Sequence, residues 1–194
     1  RGLAHIGIMR AFYDQGVMPH ALAGTSMGAV IASLLAIGMT PQQIETEIRK
    51  INVLSMLDFK PSKAGLMSGR NIYKTLKGYL GSVTFEQLKI PLRICAVDIE
   101  NGTPVIFKEG PVLDAVRASL SIPGVFIPYE YQGRLLVDGG LMNNLPIDAL
   151  EEFHCQHVLA ISVRRSARTT LLYREYLKSE ETFVKEFRYH RLKL

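Results

Sequence analysis

Residues 24 to 28 read Gly-Thr-Ser-Met-Gly, a serine held between two glycines. The pattern G-x-S-x-G falls between a short apolar run, residues 20 to 23, and an apolar stretch with helical character, residues 27 to 37. A sharp strand-to-helix turn would strain Ser26 and push its hydroxyl into the open, and Gly24 and Gly28 would let the backbones pass closely. The following helix would aim its first amides, beginning at Met27, and its positive dipole end at the same place, where an oxyanion develops during acyl transfer. The alternative is a glycine-rich turn whose serine merely caps the helix.

A serine nucleophile needs a proton acceptor, usually a histidine. The chain has five, His5, His20, His154, His157 and His190. His5 falls mid-helix before the elbow. His20 opens the strand that leads to it, and His154 and His157 flank the start of a later apolar run. None follows the C-terminal end of a strand, so surface or packing roles suit them better. An aspartate does occupy such a position. In Arg-Leu-Leu-Val-Asp-Gly-Gly, residues 134 to 140, Asp138 ends an apolar run where α/β folds build sites, and Gly139 and Gly140 leave it uncovered. Partial burial would raise its pKa toward that of a useful base. Asp-Gly-Gly is also a common turn.

The elements that must position these groups are legible from periodicity. Residues 2 to 15 place Leu3, Ile6, Met9 and Tyr13 on one helical face, and Gly16 is a natural stop. Thr40-Pro41-Gln42-Gln43 predicts a helix start with a capping box, after which Ile44, Ile48 and Ile51 face the core. Ser68 is placed to cap a helix reaching about Leu80. Pro-Leu-Arg-Ile-Cys-Ala-Val-Asp-Ile, residues 91 to 99, predicts a strand that turns at Asn101-Gly102 into a hairpin partner. A helix is expected from Gly110-Pro111 through Ser119, a second hairpin around Gln132-Gly133, a helix from Pro146 to about Phe153, and a buried strand at residues 157 to 163. Residues 52 to 69 have no clear period and suit a packed connection or a flap. Strands alternate with helices and are apolar throughout, which predicts a layered α/β domain, its sheet mostly parallel and covered by helices on both faces.

Composition narrows the function. The net charge of +5 belongs to residues 164 to 194, with nine Lys/Arg against four Asp/Glu; the rest holds fourteen of each. A neutral body without a recognisable binding motif argues against nucleic acid. The basic segment reads as a solvated helix face. Its aromatic stripe, Tyr173, Tyr176, Phe183 and Phe187, also suits peripheral contact with an anionic membrane. Cys95 and Cys155 lack CxxC spacing and read as reduced thiols, with neither a disulfide framework nor a metal site indicated. No run approaches the roughly 20 apolar residues of a membrane span, and no signal peptide opens the chain, so a cytoplasmic location is expected.

Four ordered segments carry a resemblance. Residues 1 to 12 (RGLAHIGIMRAF), 24 to 45 (GTSMGAVIASLLAIGMTPQQIE), 91 to 129 (from PLRICAVDI to SIPGVFIPY) and 137 to 150 (VDGGLMNNLPIDAL) resemble the bacterial patatin-like phospholipases, serine acyl hydrolases related to plant patatin. The resemblance covers residues 1 to 163, and 164 to 194 are expected to be a helical C-terminal part of the same domain. It implies a three-layer patatin-like fold and a Ser–Asp dyad without histidine. Ser26 would be the nucleophile and Asp138 the general base. Arg1, Gly2, Gly24, Met27 and Gly28 would form the oxyanion and elbow region, and Gly139 and Gly140 the loop beside the base. No metal or organic cofactor is implied, and the substrate would be a phospholipid or other lipid ester. The family's oxyanion loop, Gly-Gly-Gly-x-Arg-Gly, is represented only by Arg1-Gly2, so further residues are expected upstream. Two other readings are a silent patatin-like module that binds lipid or protein, and an acyl transferase.

Overall fold

The computed structural model describes residues 2–51, 58–62 and 65–163. Arg1, the basic segment from residue 164 onward, and 52–57 and 63–64 of the expected flap lie outside the described residues.

The first helix, α1 (Ala4–Tyr13), stops before Gly16, whose φ of +72° breaks the helical path. Ile6 and Met9 bury their side chains as the periodicity predicts, but Leu3 is exposed. Strand β1 (Leu22–Thr25) leads through Ser26 into α2 (Met27–Ala36). Every residue of α2 from Ala29 to Ala36 is buried. A helix apolar on all sides is stable only inside a core, and α2 sits there against β1, β4, α3 and α5. Helix α3 (Pro41–Lys50) starts with the predicted capping box: Gln43 N–H donates to Thr40 Oγ1, and Thr40 N–H donates to Gln43 Oε1.

Within the expected flap, β2 (Phe59–Ser62) and β3 (Gly65–Met67) pair antiparallel, and β3 pairs parallel with β6 (Gly124–Phe126), making a small three-stranded sheet. Helix α4 (Arg70–Leu80) follows, and Ser68 is only the lesser part of its cap, its Oγ accepting from the Arg70 N–H at 3.3 Å. The N-cap is Gly69, in the left-handed region, and the accepting carboxylate is Asp58, which takes hydrogen bonds from the N–H groups of Gly69 (2.8 Å) and Arg70 (2.7 Å) and from the Ser68 hydroxyl. A short polar side chain just ahead of β2 supplies most of the cap that the local sequence assigned to Ser68.

The main sheet is built around β4 (Leu92–Asp98), which is buried at all positions but Arg93. It pairs with β1, with β5 (Thr103–Phe107) and with β8 (Arg134–Asp138), and β8 pairs with β7 (Tyr129–Tyr131). Helix α5 (Val112–Ser119) packs on β4 and α2. The layered α/β architecture, a central sheet flanked by helices, is as the sequence predicts. The mostly parallel sheet is not. Only β1–β4 is parallel in the main sheet of the described residues, whereas β4–β5, β4–β8 and β7–β8 are antiparallel. Two of these three pairings, β4–β5 and β7–β8, follow from tight hairpins. Gly102 has φ +63°, and Gln132 and Gly133 have φ +50° and +73°; such turns can join only antiparallel neighbours.

Two further expectations are corrected. Residues 157–163 form no strand among the described residues, because no described strand pairs with them and a strand exists only through its ladder. The helix expected after Pro146 is a tight 3₁₀ turn, Asp148–Phe153, ended by His154 at φ +47°. Among the described residues, no helix is long and apolar enough to cross a membrane.

Candidate functional site

Three strands meet at one point of β4. Strand β1 runs parallel along it, with Leu22 to Thr25 opposite Leu92 to Cys95. Strand β8 runs antiparallel along it, with Leu136 to Asp138 opposite Asp98 to Ala96. Strand β5 covers Ile94 to Asp98 from the remaining edge. A strand has only two edges, so β1 and β8 share one edge and meet end to end, Thr25 opposite Cys95 and Asp138 opposite Ala96. Consecutive positions along a strand are about 3.3 Å apart. The residue after Thr25 is Ser26. The fold thus brings together the serine and the aspartate, which are far apart in sequence.

Ser26 has φ +57° and ψ −126°, a conformation that costs a non-glycine residue about 1–3 kcal/mol and persists only when its surroundings impose it. The surroundings are visible. Thr25 Oγ1 donates to the Asn143 carbonyl (2.8 Å), tying the elbow to the loop beyond Asp138. The Ser26 N–H donates to Ser119 Oγ (2.8 Å), and that hydroxyl donates to the Cys95 carbonyl (2.7 Å). A Cβ on Gly24 would lie 2.6 Å from the Gly28 carbonyl and 2.7 Å from the Ala29 backbone, so only glycine lets the strand pass the helix. Gly28 is different: a Cβ there would meet only His5 Nε2, at 3.9 Å. The close passage expected of both glycines belongs to Gly24 alone.

Asp138 is 7% exposed, ends β8, and is fixed at backbone and side chain. Its N–H donates to the Ser121 carbonyl (2.9 Å), and its Oδ1 accepts from the Gly140 N–H (2.7 Å). A Cβ on Gly139 would stand 2.4 Å from the Cys95 carbonyl oxygen, so this glycine is required where β8 meets β4. A Cβ on Gly140 would lie 2.9 Å from both Asp138 Oδ1 and Asn144 Oδ1. At the start of the described chain, Gly2 abuts the Met27 side chain, where a Cβ would lie 1.9 Å from Met27 Cγ. Gly2, Gly24, Met27 and Gly28 therefore lie at the elbow, with Gly139 and Gly140 next to Asp138. Met27 and Gly28 open α2, where N–H groups have no intrahelical acceptor.

His5 comes nearer the elbow than its place in α1 suggested, but its Nδ1–H donates to the Gly2 carbonyl (2.8 Å). Burial, with the Asp148 carboxylate, pushes the Cys95 thiol up to about 12, which keeps it protonated and unreactive. The described residues contain no group of three or more His, Cys, Asp or Glu suited to a metal ion.

Sequence reasoning assigned no role to Ser119, Ser121 or Arg117. Arg117 is buried, and its guanidinium donates to Ser121 Oγ (2.6 Å) and the Ser68 carbonyl (2.7 Å) while facing the rings of Phe126 and Tyr129. It ties the small sheet to the end of α5. The available signal was a run of Arg117, Ser119 and Ser121 at alternate positions in an otherwise apolar stretch. The same region gathers exposed apolar side chains. Leu3, Met27, Ile122, Leu141 and Met142 each lie within three residues of Gly2, Ser26, Ser121 or Asp138–Gly140; Leu141 is 58% exposed and Met142 54%.

These features define a layered α/β protein with a strained serine at a strand–helix elbow and an aspartate ending the strand that meets it on β4. The family model described as patatin-like phospholipase matches residues 1–151, and the chain belongs to that family. It is 36% identical over 168 residues to an uncharacterised NTE family protein of Mycobacterium tuberculosis, covering 86% of this chain and 47% of that protein. It is 32% identical over 179 residues to the neuropathy target esterase sws of Drosophila melanogaster, covering 88% of this chain and 13% of that one. The chain thus spans about half the length of the mycobacterial relative, or less for the fly protein. The crystal structure of VipD from Legionella pneumophila has the same fold, with a TM-score of 0.63 at 14% identity over 91% of this chain and 51% of that one.

Proposed function

We propose that the chain is a lipid acyl hydrolase domain that cleaves carboxylic esters of phospholipid or lysophospholipid, with Ser26 as nucleophile and Asp138 as general base. The observation that carries this reading is the end-to-end meeting of β1 and β8 on one edge of β4, with Ser26 and Asp138 at the junction. In acylation, Asp138 takes the Ser26 hydroxyl proton as Oγ attacks the ester carbonyl. The N–H groups opening α2 at Met27 and Gly28 face the developing oxyanion. Collapse of the tetrahedral intermediate breaks the bond to the alcohol oxygen, which leaves with the proton returned by Asp138. In deacylation, Asp138 takes a proton from water, hydroxide adds to the acyl-enzyme, and Ser26 Oγ departs with that proton, freeing the fatty acid. Family membership and the exposed Leu3, Met27, Ile122, Leu141 and Met142 support a lipid as the acyl donor.

The test is covalent labelling of the full-length protein by a fluorophosphonate, with the modified residue located by peptide mass. Label on Ser26, lost in Ser26→Ala, supports the reading. A folded protein that neither takes label nor hydrolyses short esters favours the silent module.

A further inference from the structure

Ser119 is the last residue of α5 and is completely buried. Its hydroxyl uses both of its capacities within the junction, accepting from the Ser26 N–H at 2.8 Å and donating to the Cys95 carbonyl at 2.7 Å. Cys95 is the β4 residue opposite Thr25, and its carbonyl is also the atom against which Gly139 is pressed. Two residues further on, the Ser121 carbonyl accepts the Asp138 N–H at 2.9 Å. The short segment from Ser119 to Ser121 therefore grips the backbone on both sides of the junction, the serine side by a side chain and the aspartate side by a carbonyl. The grip on Ser26 is the one that a substitution can remove.

We propose that Ser119 is a positioning residue for the hydrolysis. It holds the Ser26 backbone at φ +57°, ψ −126° and fixes the nucleophile relative to Asp138 through the shared β4 carbonyl. It also occupies the N–H of Ser26 itself, so that oxyanion stabilisation falls to the amides that follow in α2. The hydroxyl of Ser119 touches neither substrate nor the reacting oxygen. Its effect passes through the orientation of the elbow, where displacement of a reacting group by about 1 Å can cost a hundredfold in rate. This inference rests on the Ser–Asp reading above.

The experiment compares Ser119→Ala with Ser33→Ala in the full-length protein. Ser33 is an equally buried serine whose hydroxyl donates to the Ala29 carbonyl inside α2. For each variant, the second-order rate of fluorophosphonate labelling at Ser26, kcat and KM on a short p-nitrophenyl ester, and the melting temperature are measured. Ser119→Ala should label and turn over about ten- to a hundredfold more slowly. Its KM should stay near that of the wild type and its melting temperature near that of Ser33→Ala, which labels at close to the wild-type rate. Labelling of Ser119→Ala within twofold of wild type overturns the proposal, and so does an equal rate loss in both variants at equal loss of melting temperature. If Ser119→Ala does not fold, Ser119→Cys keeps the bulk but supplies only a weak donor and acceptor. Slow labelling of the folded cysteine variant sustains the proposal; wild-type labelling, or failure of both variants to fold, rejects it. A wild type whose label does not depend on Ser26 refutes the dyad reading and the inference with it, an outcome visible before any Ser119 variant is compared.

Discussion

Thr25 and Asp138 occupy consecutive places on one edge of β4, opposite Cys95 and Ala96, although they reach it from opposite directions. The arrangement needs one parallel and one antiparallel neighbour on the same edge, meeting without overlap. Ser26 turns away into α2 at that meeting point, and Gly139 turns away into a 3₁₀ turn. A side chain longer than a hydrogen at residue 139 has nowhere to go.

Replacing Ser26 by alanine should lower hydrolysis of short p-nitrophenyl esters by at least about a thousandfold, the scale on which loss of a nucleophile is felt in serine hydrolases. The circular dichroism spectrum and melting temperature should hold, since the hydroxyl is not what fixes the elbow backbone. Residual activity within tenfold of wild type would remove Ser26 from the mechanism.

Asp138→Asn should be nearly as damaging. The amide oxygen can still accept from the Gly140 N–H, so the loop persists, but the amide cannot take a proton from Ser26. Steady-state rates across pH, set beside single alanine variants of His5, His20, His154, His157 and His190, decide the point. An inactive histidine variant paired with an active Asp138→Asn would reverse the assignment.

Gly139→Ala and Gly28→Ala should part company in stability. The new methyl at 139 would stand 2.4 Å from the Cys95 carbonyl oxygen, and the backbone would have to move, at a cost of about 1–3 kcal/mol. At 28 it would meet only a ring nitrogen at 3.9 Å, inside a helix that favours alanine over glycine by about 1 kcal/mol. Chemical denaturation of the two variants should therefore shift the midpoints in opposite directions. A Gly139→Ala midpoint no lower than that of the wild type would mean that the crowding at Gly139 is relieved elsewhere.

These contrasts mark how far the sequence reaches. Local signals placed most elements: the Thr40 capping box, the stop at Gly16 and the Asn101-Gly102 hairpin are each set by residues within a few positions, and each is found. The places of Ser26 and Asp138 in the fold were legible from local pattern: Ser26 follows an apolar strand between Gly24 and Gly28, and Asp138 ends one just before Gly139 and Gly140. What was not legible depends on partners distant in the chain. The cap of α4 comes more from Asp58 than from Ser68 because strands β2 and β3 fold Asp58 back onto Gly69 and Arg70. Residues 157–163 have the composition of a buried strand, but composition cannot supply a neighbouring edge. The role argued for Ser119 depends on Cys95 lying beside the elbow, which only the β1–β4 register reveals.

Asp58 makes a prediction about acid. Burial alone would raise its pKa, but the hydroxyl of Ser68 and the N–H groups of Gly69, Arg70 and Asn71 outweigh it and hold the carboxyl below its usual range. A carboxyl with a depressed folded-state pKa stabilises above its unfolded pKa, and that contribution fades as pH falls through the folded value. Asp58→Ala should therefore cost about 1 kcal/mol at neutral pH through loss of the cap, and less as the pH drops below the ordinary carboxylate range. Urea titrations of both proteins at neutral and acid pH give the comparison. A gap that stays constant across pH would assign the cost to packing rather than to charge.

The apolar side chains around the junction predict a dependence on the acyl chain. Leu141 and Met142 are exposed directly after the Asp138–Gly140 loop, and Asn143, one residue on, accepts the Thr25 hydroxyl, so the pair is anchored beside the elbow. Each exposed methylene that meets an acyl chain instead of water contributes about 0.8 kcal/mol when fully buried. Leu141→Ser with Met142→Ser should thus reduce kcat/KM more for long-chain phospholipid in mixed micelles than for a short-chain ester, through KM. The ratio of the two losses is the diagnostic quantity, because a disturbed dyad would lower both in proportion. If the double variant loses equally on both substrates, these side chains shape the loop that carries Asp138 and do not meet the lipid.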